Sequence, residues 1–599
     1  MVAAIRPRAP DTLIPPPHPG VPVQESDIPM NNPRTFLLVA LFALVYLIWS
    51  QWQIDYAPQS ATVASEALPV AAGPTPAPIP SSAEIPQAAA TASAASTQVP
   101  TVAASEAPKA DPIVVQTDLL RVEIDPRGGS VISAELLAYP EQPKQPERVR
   151  LLSPDPDSYF VAQSGLVSNT GPAPNHQSLF ETASHDYRLA DGQNRLEVPL
   201  TWTDASGITV TKTFVFERGS YVIAQTQKID NRSAKAWSGN AYRQLQRVPL
   251  VIDTSGIKGY TNTARYSFMG AAWYSPEDKF QKLAFDKFGK EPLKKEVTGG
   301  WIALLQHYFF AAWIPPADEA EQFSSETVAT SAPTRYLVRG MSPAISIAPG
   351  SSGSLGARLY VGPKLQSTLD ELAPGLAKTA DYGIFTVISE PLHWLLSQFH
   401  KLTGNWGFAI ILLVLLIKAV FFKLSEAQYR SMAKMRKMQP RVAALKERYG
   451  DDRQKLNQAM LELYQKEKIN PLGGCLPMLV QIPVFLGLYW VLLESVELRQ
   501  APFILWIHNL TAPDPYYVLP ILNAATMLAT QFLTPMTGMD PLQAKMMKFM
   551  PLIFSVLFAF FPAGLVLYWT VNGALGLLQQ WIITRRIEGA AKPAAAAAK

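Results

Sequence analysis

Apolar and polar positions are sorted unevenly along the 599 residues. The first half alternates over short stretches, and the second half runs apolar over long ones. The earliest apolar run is "TFLLVALFALVYLIWSQW", Thr35 to Trp52. Eighteen helical residues cover about 27 Å, one hydrocarbon core. Trp49 and Trp52 end it as an interfacial belt, and no small-residue cleavage site follows. The pattern predicts an uncleaved transmembrane anchor over 34–53. Arg34 before it and Asp55 after it place the preceding tail, 1–33, inside. That tail is Pro-rich and is predicted disordered; Met30 is a natural alternative start.

From Ala61 to Ala110, 36 of 50 residues are Ala, Pro, Ser or Thr, with no aromatic. Such a segment cannot form a core, so 54–110 is predicted to be a tether. From 111 to 375 the period changes to two. "LRVEID" alternates and "PRGG" supplies a turn. "LEVPLTWTDASGITVTKTFVFERGSYVIAQTQKI" predicts three strands joined by two turns, and "AISIAPGSSGSLGARLYVG" repeats the pattern. A β-sandwich follows, across the membrane from the tail, in the periplasm of a bacterium. Next, 385–402 puts Leu392, Leu395, Leu396 and Phe399 on one helical face. That face could pack on the β-domain, but because a span starts immediately afterwards 385–402 is predicted to be an interfacial helix lying flat on the membrane.

Five further spans are predicted: 406–423, 475–494, 516–533, 546–561 and 563–583. Loop charge orients them. Residues 423–468 carry twelve Lys/Arg against six acids, whereas 494–517 carry Arg499 alone against three. The basic connections 424–470 and 534–545 and the tail 584–599 are therefore cytoplasmic, and 495–515 is periplasmic. Both termini lie inside. Within 424–470, Gly450 is predicted to end one helix and Asp451 to cap a second, a helical hairpin. Met432, Met435 and Met438 suit either packing within it or an adaptable outer surface.

Composition narrows the chemistry. Net charge is only +4 and no nucleic-acid motif stands out; the single cysteine, Cys475, makes neither an intramolecular disulfide nor a zinc site. Neither a phosphate-cradling Gly-Lys-Ser/Thr loop nor His-Glu-x-x-His occurs. No catalytic residue, metal or cofactor is predicted. The informative feature is polarity within apolar spans. Lys418 lies about 6–8 Å from the cytoplasmic end of its span, and Gln481 about 9 Å from the same side. Thr530, Gln531, Gln579 and Gln580 also lie toward that side; Ser555 and Asn572 are nearer the middle, and Asn523 and Thr570 farther out. A through-pore needs polar lining at every depth, so this pattern predicts a cavity open to the cytoplasm and closed above. Taken singly, Lys418 also fits snorkelling to the headgroups. Gln481 and Asn572 also fit ordinary interhelical hydrogen bonding.

"GNWGFAIILLVLLIK", "QYRSMAKMRKMQPRV", "NPLGGCLPMLVQIPVFLGLYWVL" and "FMPLIFSVLFAFFPAGLVLYWTVNGALGLLQQ" resemble the YidC membrane protein insertases of Gram-negative bacteria (the YidC/Oxa/Alb family), and the resemblance covers nearly the whole chain. It implies six transmembrane helices, an anchor plus a five-helix insertase core, with a periplasmic β-supersandwich and a cytoplasmic helical hairpin. It implies a hydrophilic groove holding Lys418, Gln481, Asn572 and Gln531, and substrate contacts at Ile482, Pro483, Phe485, Tyr568 and Trp569. The implied partners are nascent membrane proteins, the Sec translocon (SecYEG and SecDF), the ribosome and signal recognition particle receptor through cytoplasmic loops, and the lipid bilayer. Three positions depart from the family pattern. Lys418 stands where arginine is usual, Val414 where some members have threonine, and Trp569 where tyrosine is common. A secondary transporter predicts inverted repeats, which the sequence lacks. A sugar-processing enzyme would rest on the β-domain alone.

Overall fold

The computed structural model describes residues 111–143, 145–252, 262–328, 333–450, 452–467, 476–533 and 541–596. The predicted anchor, tether and N-terminal tail, the Met30 start, Asp451 and Cys475 lie outside the described residues.

The alternating half forms two sheets, of eleven and eight strands among the described residues. The predicted strand-turn-strand run is an antiparallel meander, Arg195–Thr203, Ile208–Glu217 and Val222–Asn231. Along Ile208–Glu217 every second residue is buried, so Ile208, Val210, Phe214 and Phe216 face the opposite sheet. That period-two burial is what alternation dictates on a pleated strand. Trp301, Trp313, Phe310, Leu359 and Tyr360 belong to the large core cluster.

Among the buried charged residues, Lys212, Arg243 and Glu321 sit in inward positions with their charges met. Lys212 takes a core slot of the second sheet, and its Nζ donates to the Gly128 carbonyl at 2.6 Å and the Ser164 carbonyl at 3.0 Å. Gly128 belongs to the predicted "PRGG" turn; its φ is 75°, and a Cβ there would meet the His176 carbonyl at 2.3 Å. Only glycine fits both demands. Arg243 and Glu321, each 1% exposed, form a buried ion pair, and Arg243 Nη2 also donates to the Gly356 carbonyl at 2.8 Å.

After the sheets come helices: α1 (Gln366–Leu372), α2 (Thr386–Thr403), α3 (Trp406–Val420), α4 (Phe422–Lys437), α5 (Gln439–Tyr449) and α6 (Arg453–Lys466). They continue with α7 (Leu476–Glu494), α8 (Val518–Leu533), α9 (Pro541–Phe558) and α10 (Ala563–Ala596). Among the described residues no single helix combines the length and apolarity of a membrane span. The bent pair α3 and α4 does so jointly, with a 66° break. The reasons are local. The apolar run 406–423 stops being one helix at Phe421, and α8 has 16 residues. In α10 length is ample, but Asn572, Gln579, Gln580 and its glycines dilute the apolar content.

The basic segment differs in detail from its sequence pattern. Its first helix divides at Met438 into α4 and α5. The cap of α6 is Asp452, whose side chain accepts from the Lys455 N–H at 3.0 Å; one residue of register separates it from the expected Asp451. Of the three methionines, Met438 is buried, beside buried Val442, and Arg441 pairs with Glu467 at 2.6 Å.

The β-domain is joined to the helices by buried polar contacts. Lys364, just beyond strand Ser352–Pro363, meets Glu494 at the end of α7 at 3.6 Å, both 1% exposed. Ser267 Oγ donates to Glu494 at 3.1 Å, and His307 Nε2 lies 3.1 Å from the Leu493 carbonyl. Helix α2 packs on α7 through the Ser389 hydroxyl, which donates to the Gly487 carbonyl at 3.0 Å. Leu392 and Leu396 are buried on α2, while Val387, Trp394 and Leu402 are exposed.

Two predictions follow from the buried charges. Glu321→Gln should destabilise the β-domain by about 3–5 kcal/mol, because it strands a buried guanidinium. The double variant Arg243→Met/Glu321→Met should recover most of that loss; calorimetric unfolding reads both. Burial lowers the pKa of His176 to about 4 and that of His307 to about 3. Below pH 6.5 the unfolded chain binds protons that the folded chain refuses, so stability is lost as pH falls from about 6.5 toward 4. The slope is about 1.4 kcal/mol per pH unit per histidine. His176→Gln should flatten the acid limb of a plot of melting temperature against pH.

Candidate functional site

Helix α3 buries Ile410, Leu413, Val414 and Ile417. Lys418 follows on the flank of that face and is half-buried. Its Nζ lies against Gly576 of α10, 3.7 Å from where a Cβ would stand. Tyr429, one helix further on in α4, donates from its hydroxyl to the Gly576 carbonyl at 3.1 Å. Gly576 therefore acts by absence: a side chain there would fill the space beside the ammonium and the phenol. Among the described residues no hydrogen bond or ion pair reaches Lys418 Nζ.

One turn back along α10 is Asn572, whose Oδ1 accepts from Gln481 Nε2 of α7 at 2.8 Å. Another turn back is Tyr568, stacked on Phe485 of α7 with ring centroids 6.0 Å apart. The i, i+4, i+8 spacing of Tyr568, Asn572 and Gly576 puts them on one face of α10. Gln481 and Phe485 are likewise one turn apart on α7. The two helices thus match aromatic to aromatic and amide to amide. Phe485 also meets Trp569 edge-on at 4.8 Å, and Trp569 lies 5.5 Å from Phe558 of α9.

Lys418, Gln481 and Asn572 are thus strung along one stripe at α10. Phe485, Tyr568 and Trp569 form an aromatic cluster at its other end. Ile482 is 43% exposed, on the outside of α7, and Pro483 is a half-buried residue within that helix. Gln531 is on α8 with its amide nitrogen buried and no partner among the described residues; no described contact ties it to the other three. Sequence reasoning missed Tyr429 and Gly576. Nothing in "EAQYRSM" singles out Tyr429. Gly576 was discoverable from its spacing to Asn572.

Thr570 bonds the Leu519 carbonyl at 3.3 Å and Ser555 the Pro520 carbonyl at 3.2 Å. These hydroxyls fasten α10 and α9 to the start of α8. Asn523, wholly buried, reaches among the described residues only the Met527 sulfur, at 3.7 Å, with its amide nitrogen. Among the described residues no cluster of His, Cys, Asp and Glu can hold a metal.

Two family models match: the YidC periplasmic domain over 112–395 and the 60Kd inner membrane protein over 398–591. The match passes from one to the other within α2. A protein of Methylococcus capsulatus named membrane protein insertase YidC is 48% identical over 93% of this chain and 99% of its own length. The protein of that name from Thioalkalivibrio sulfidiphilus is 45% identical, over 94% of this chain and 100% of its own. A crystal structure of an active YidC insertase, 18% identical, covers 79% of this chain and 92% of its own at a TM-score of 0.36. The family models and the two relatives make this chain an inner membrane protein with a periplasmic β-domain. The chain belongs to the YidC family of membrane protein insertases.

The Gln481–Asn572 bond gives a measurable prediction. In a double-mutant cycle with Gln481→Leu and Asn572→Leu, unfolding in detergent should show a coupling of about 0.6 kcal/mol, the usual size for such bonds between membrane helices. A coupling near zero would mean that the pair is not formed.

Proposed function

We propose that the chain inserts integral membrane proteins into the inner membrane, and that the Lys418–Asn572–Gln481 stripe is the path it offers to their polar segments. The observation that carries this reading is a cation without an acidic partner among the described residues, set beside amides on otherwise apolar helices. A permanent acidic neighbour would cancel its attraction; a lone cation seeks one from outside.

No bond is made or broken. The difficulty is to carry a polar tail through apolar lipid. A hydrated, cationic recess reaching partway shortens the unsolvated distance. Attraction between unit charges at about 4 Å is about 4 kcal/mol at an effective dielectric of 20, enough to recruit an acidic tail transiently. The substrate's own apolar span supplies the drive, since about 20 residues entering lipid outweigh a few polar ones; nucleotide hydrolysis is not required. The aromatic cluster of Phe485, Tyr568 and Trp569, with Ile482 and Pro483, is the surface along which that span leaves. Gln531 adds a polar contact to the groove.

In this reading the protein crosses the membrane six times, with both termini and the α4–α6 segment in the cytoplasm, where the basic surface meets ribosomes and the signal recognition particle receptor. It acts alone on small substrates and with the Sec translocon on larger ones. A sugar-processing activity of the β-domain is the rival reading. Deleting most of 111–370 separates the two, because an insertase keeps working and a sugar enzyme cannot.

The electrostatic step has its own test. Lys418→Glu should impair insertion of substrates with acidic tails by tenfold or more, and that of neutral-tailed substrates much less. Lys418→Arg should be tolerated, since guanidinium also carries the charge. Equal insertion of both substrate classes by the glutamate variant would remove Lys418 from the mechanism.

A further inference from the structure

The connection between α7 and α8, residues 495–517, is built with unusual rigidity for a loop. Asp514, 1% exposed, accepts from the Trp506 indole at 2.9 Å, the Tyr516 N–H at 3.1 Å and the Leu519 N–H at 2.8 Å. The Asn509 side chain accepts from the Gln500 N–H at 3.1 Å and the Thr511 N–H at 3.0 Å. The Ala512 and Leu510 carbonyls receive the Ala563 and Gly564 N–H groups at 2.7 and 2.8 Å, pinning the loop to the start of α10.

Its tip is at odds with this polar frame. Phe503 N–H bonds the Ile507 carbonyl at 2.9 Å, closing a tight turn. Within it Leu505 has φ 55° and is 74% exposed; Ile504 is 44% exposed. Left-handed backbone costs a leucine on the order of 1 kcal/mol or more, and glycine or asparagine relieves it. A turn in water has no use for a strained, exposed leucine. The cost is offset only if the side chain enters something apolar, and the described residues do not cover it.

The surroundings identify the cover. Asn405 caps α3 by accepting from the Gly407 and Phe408 N–H groups, and its Nδ2 donates to the Phe503 carbonyl at 2.9 Å. The tip is thereby held level with the first turn of an apolar helix. Phe503 packs edge-on against Phe408 at 5.3 Å. Phe408, 44% exposed, and Leu402, 77% exposed, extend the apolar surface along α3 and α2. Tyr516 and Tyr517, 66% and 50% exposed, flank it as interfacial aromatics do. The same loop is tied to the β-domain, through Arg499 to the Glu141 carbonyl and Gln500 to the Pro140 carbonyl. It therefore lies on the periplasmic side.

We infer that Ile504 and Leu505 are a fixed wedge seated in the acyl region of the outer leaflet, with lipid as their partner. The inference rests on the membrane placement of α3 in the proposed function. The wedge and the exposed face of α2 fix the depth at which the helices sit, independently of any substrate.

The test uses the full chain in a Cys475→Ser background, with a bimane label on Leu505→Cys, on Ile504→Cys or, as the aqueous reference, on Asp191→Cys in an exposed β-domain turn. The protein is reconstituted in phosphatidylethanolamine–phosphatidylglycerol liposomes with or without acyl-chain nitroxide lipids. Iodide quenching at 504 and 505 should be at least fivefold weaker than at 191, and nitroxide lipids should quench them strongly. Iodide quenching equal to that at 191 would overturn the inference. So would quenching by neither agent, which would mean that a protein covers the tip. Insertion activity measured on the same liposomes separates failure of the wedge from failure of the insertase reading.

Discussion

A polar group carried into hydrocarbon must find polar company, and this requirement organises the helical half of the molecule. In the proposed membrane placement a cation costs at most roughly 2.5–3.5 kcal/mol on insertion scales, the figure for a helix centre. Lys418, in the last turn of α3, lies beside Gly576 and Tyr429 with no hydrogen bond or ion pair among the described residues. Asn572 and Gln481 meet their own cost by bonding each other one turn away. Remove the stripe and α3, α7 and α10 have no reason to carry these residues; keep it and their relative rotation is fixed, because each polar residue must face the same line.

The β-domain is organised by the same rule in a different medium. Lys212, Arg243 and Glu321 are buried between or beside sheets, and each is surrounded by carbonyls or an opposite charge. Lys364 and Glu494 extend the rule across the joint, so that the domain grips the outer end of α7. The residues of α7 that face α10, Phe485 and Gln481, lie about two and a half and three and a half turns from that grip.

Much of this was legible in the sequence, for physical reasons. Period-two alternation in "ITVTKTFVFE" specifies a half-buried strand whatever its neighbours, and Gly128 of "PRGG" is required by a left-handed backbone pressed against His176. The one-turn spacing of Gln481 and Phe485 along α7, and of Tyr568 and Asn572 along α10, follows from counting residues along a helix. Less accessible were facts that depend on partners distant in sequence. That Lys212 would be an inward lysine is invisible until Gly128 and Ser164 supply its acceptors. The break at Phe421 carries no proline or glycine to announce it, whereas the division at Met438 is marked by Pro440 in the first turn of α5. The cap of the α6 helix falls on the second of two adjacent aspartates, a choice that local preference alone does not make. Tyr429 reaches the stripe only because the helix bends by 66° after Val420.

The central claim is that incoming chains travel along the stripe formed by α3, α7 and α10. Site-specific photo-crosslinking from positions 418, 485 and 569 to a ribosome-bound nascent membrane protein tests it most directly. Position 553, on a 72% exposed isoleucine of α9, serves as the lipid-facing reference. The account predicts adducts from 418 when a short polar segment has emerged, and from 485 and 569 once the apolar segment follows, with little from 553. Adducts from 553 equal to those from 485 and 569, with none from 418, would contradict it.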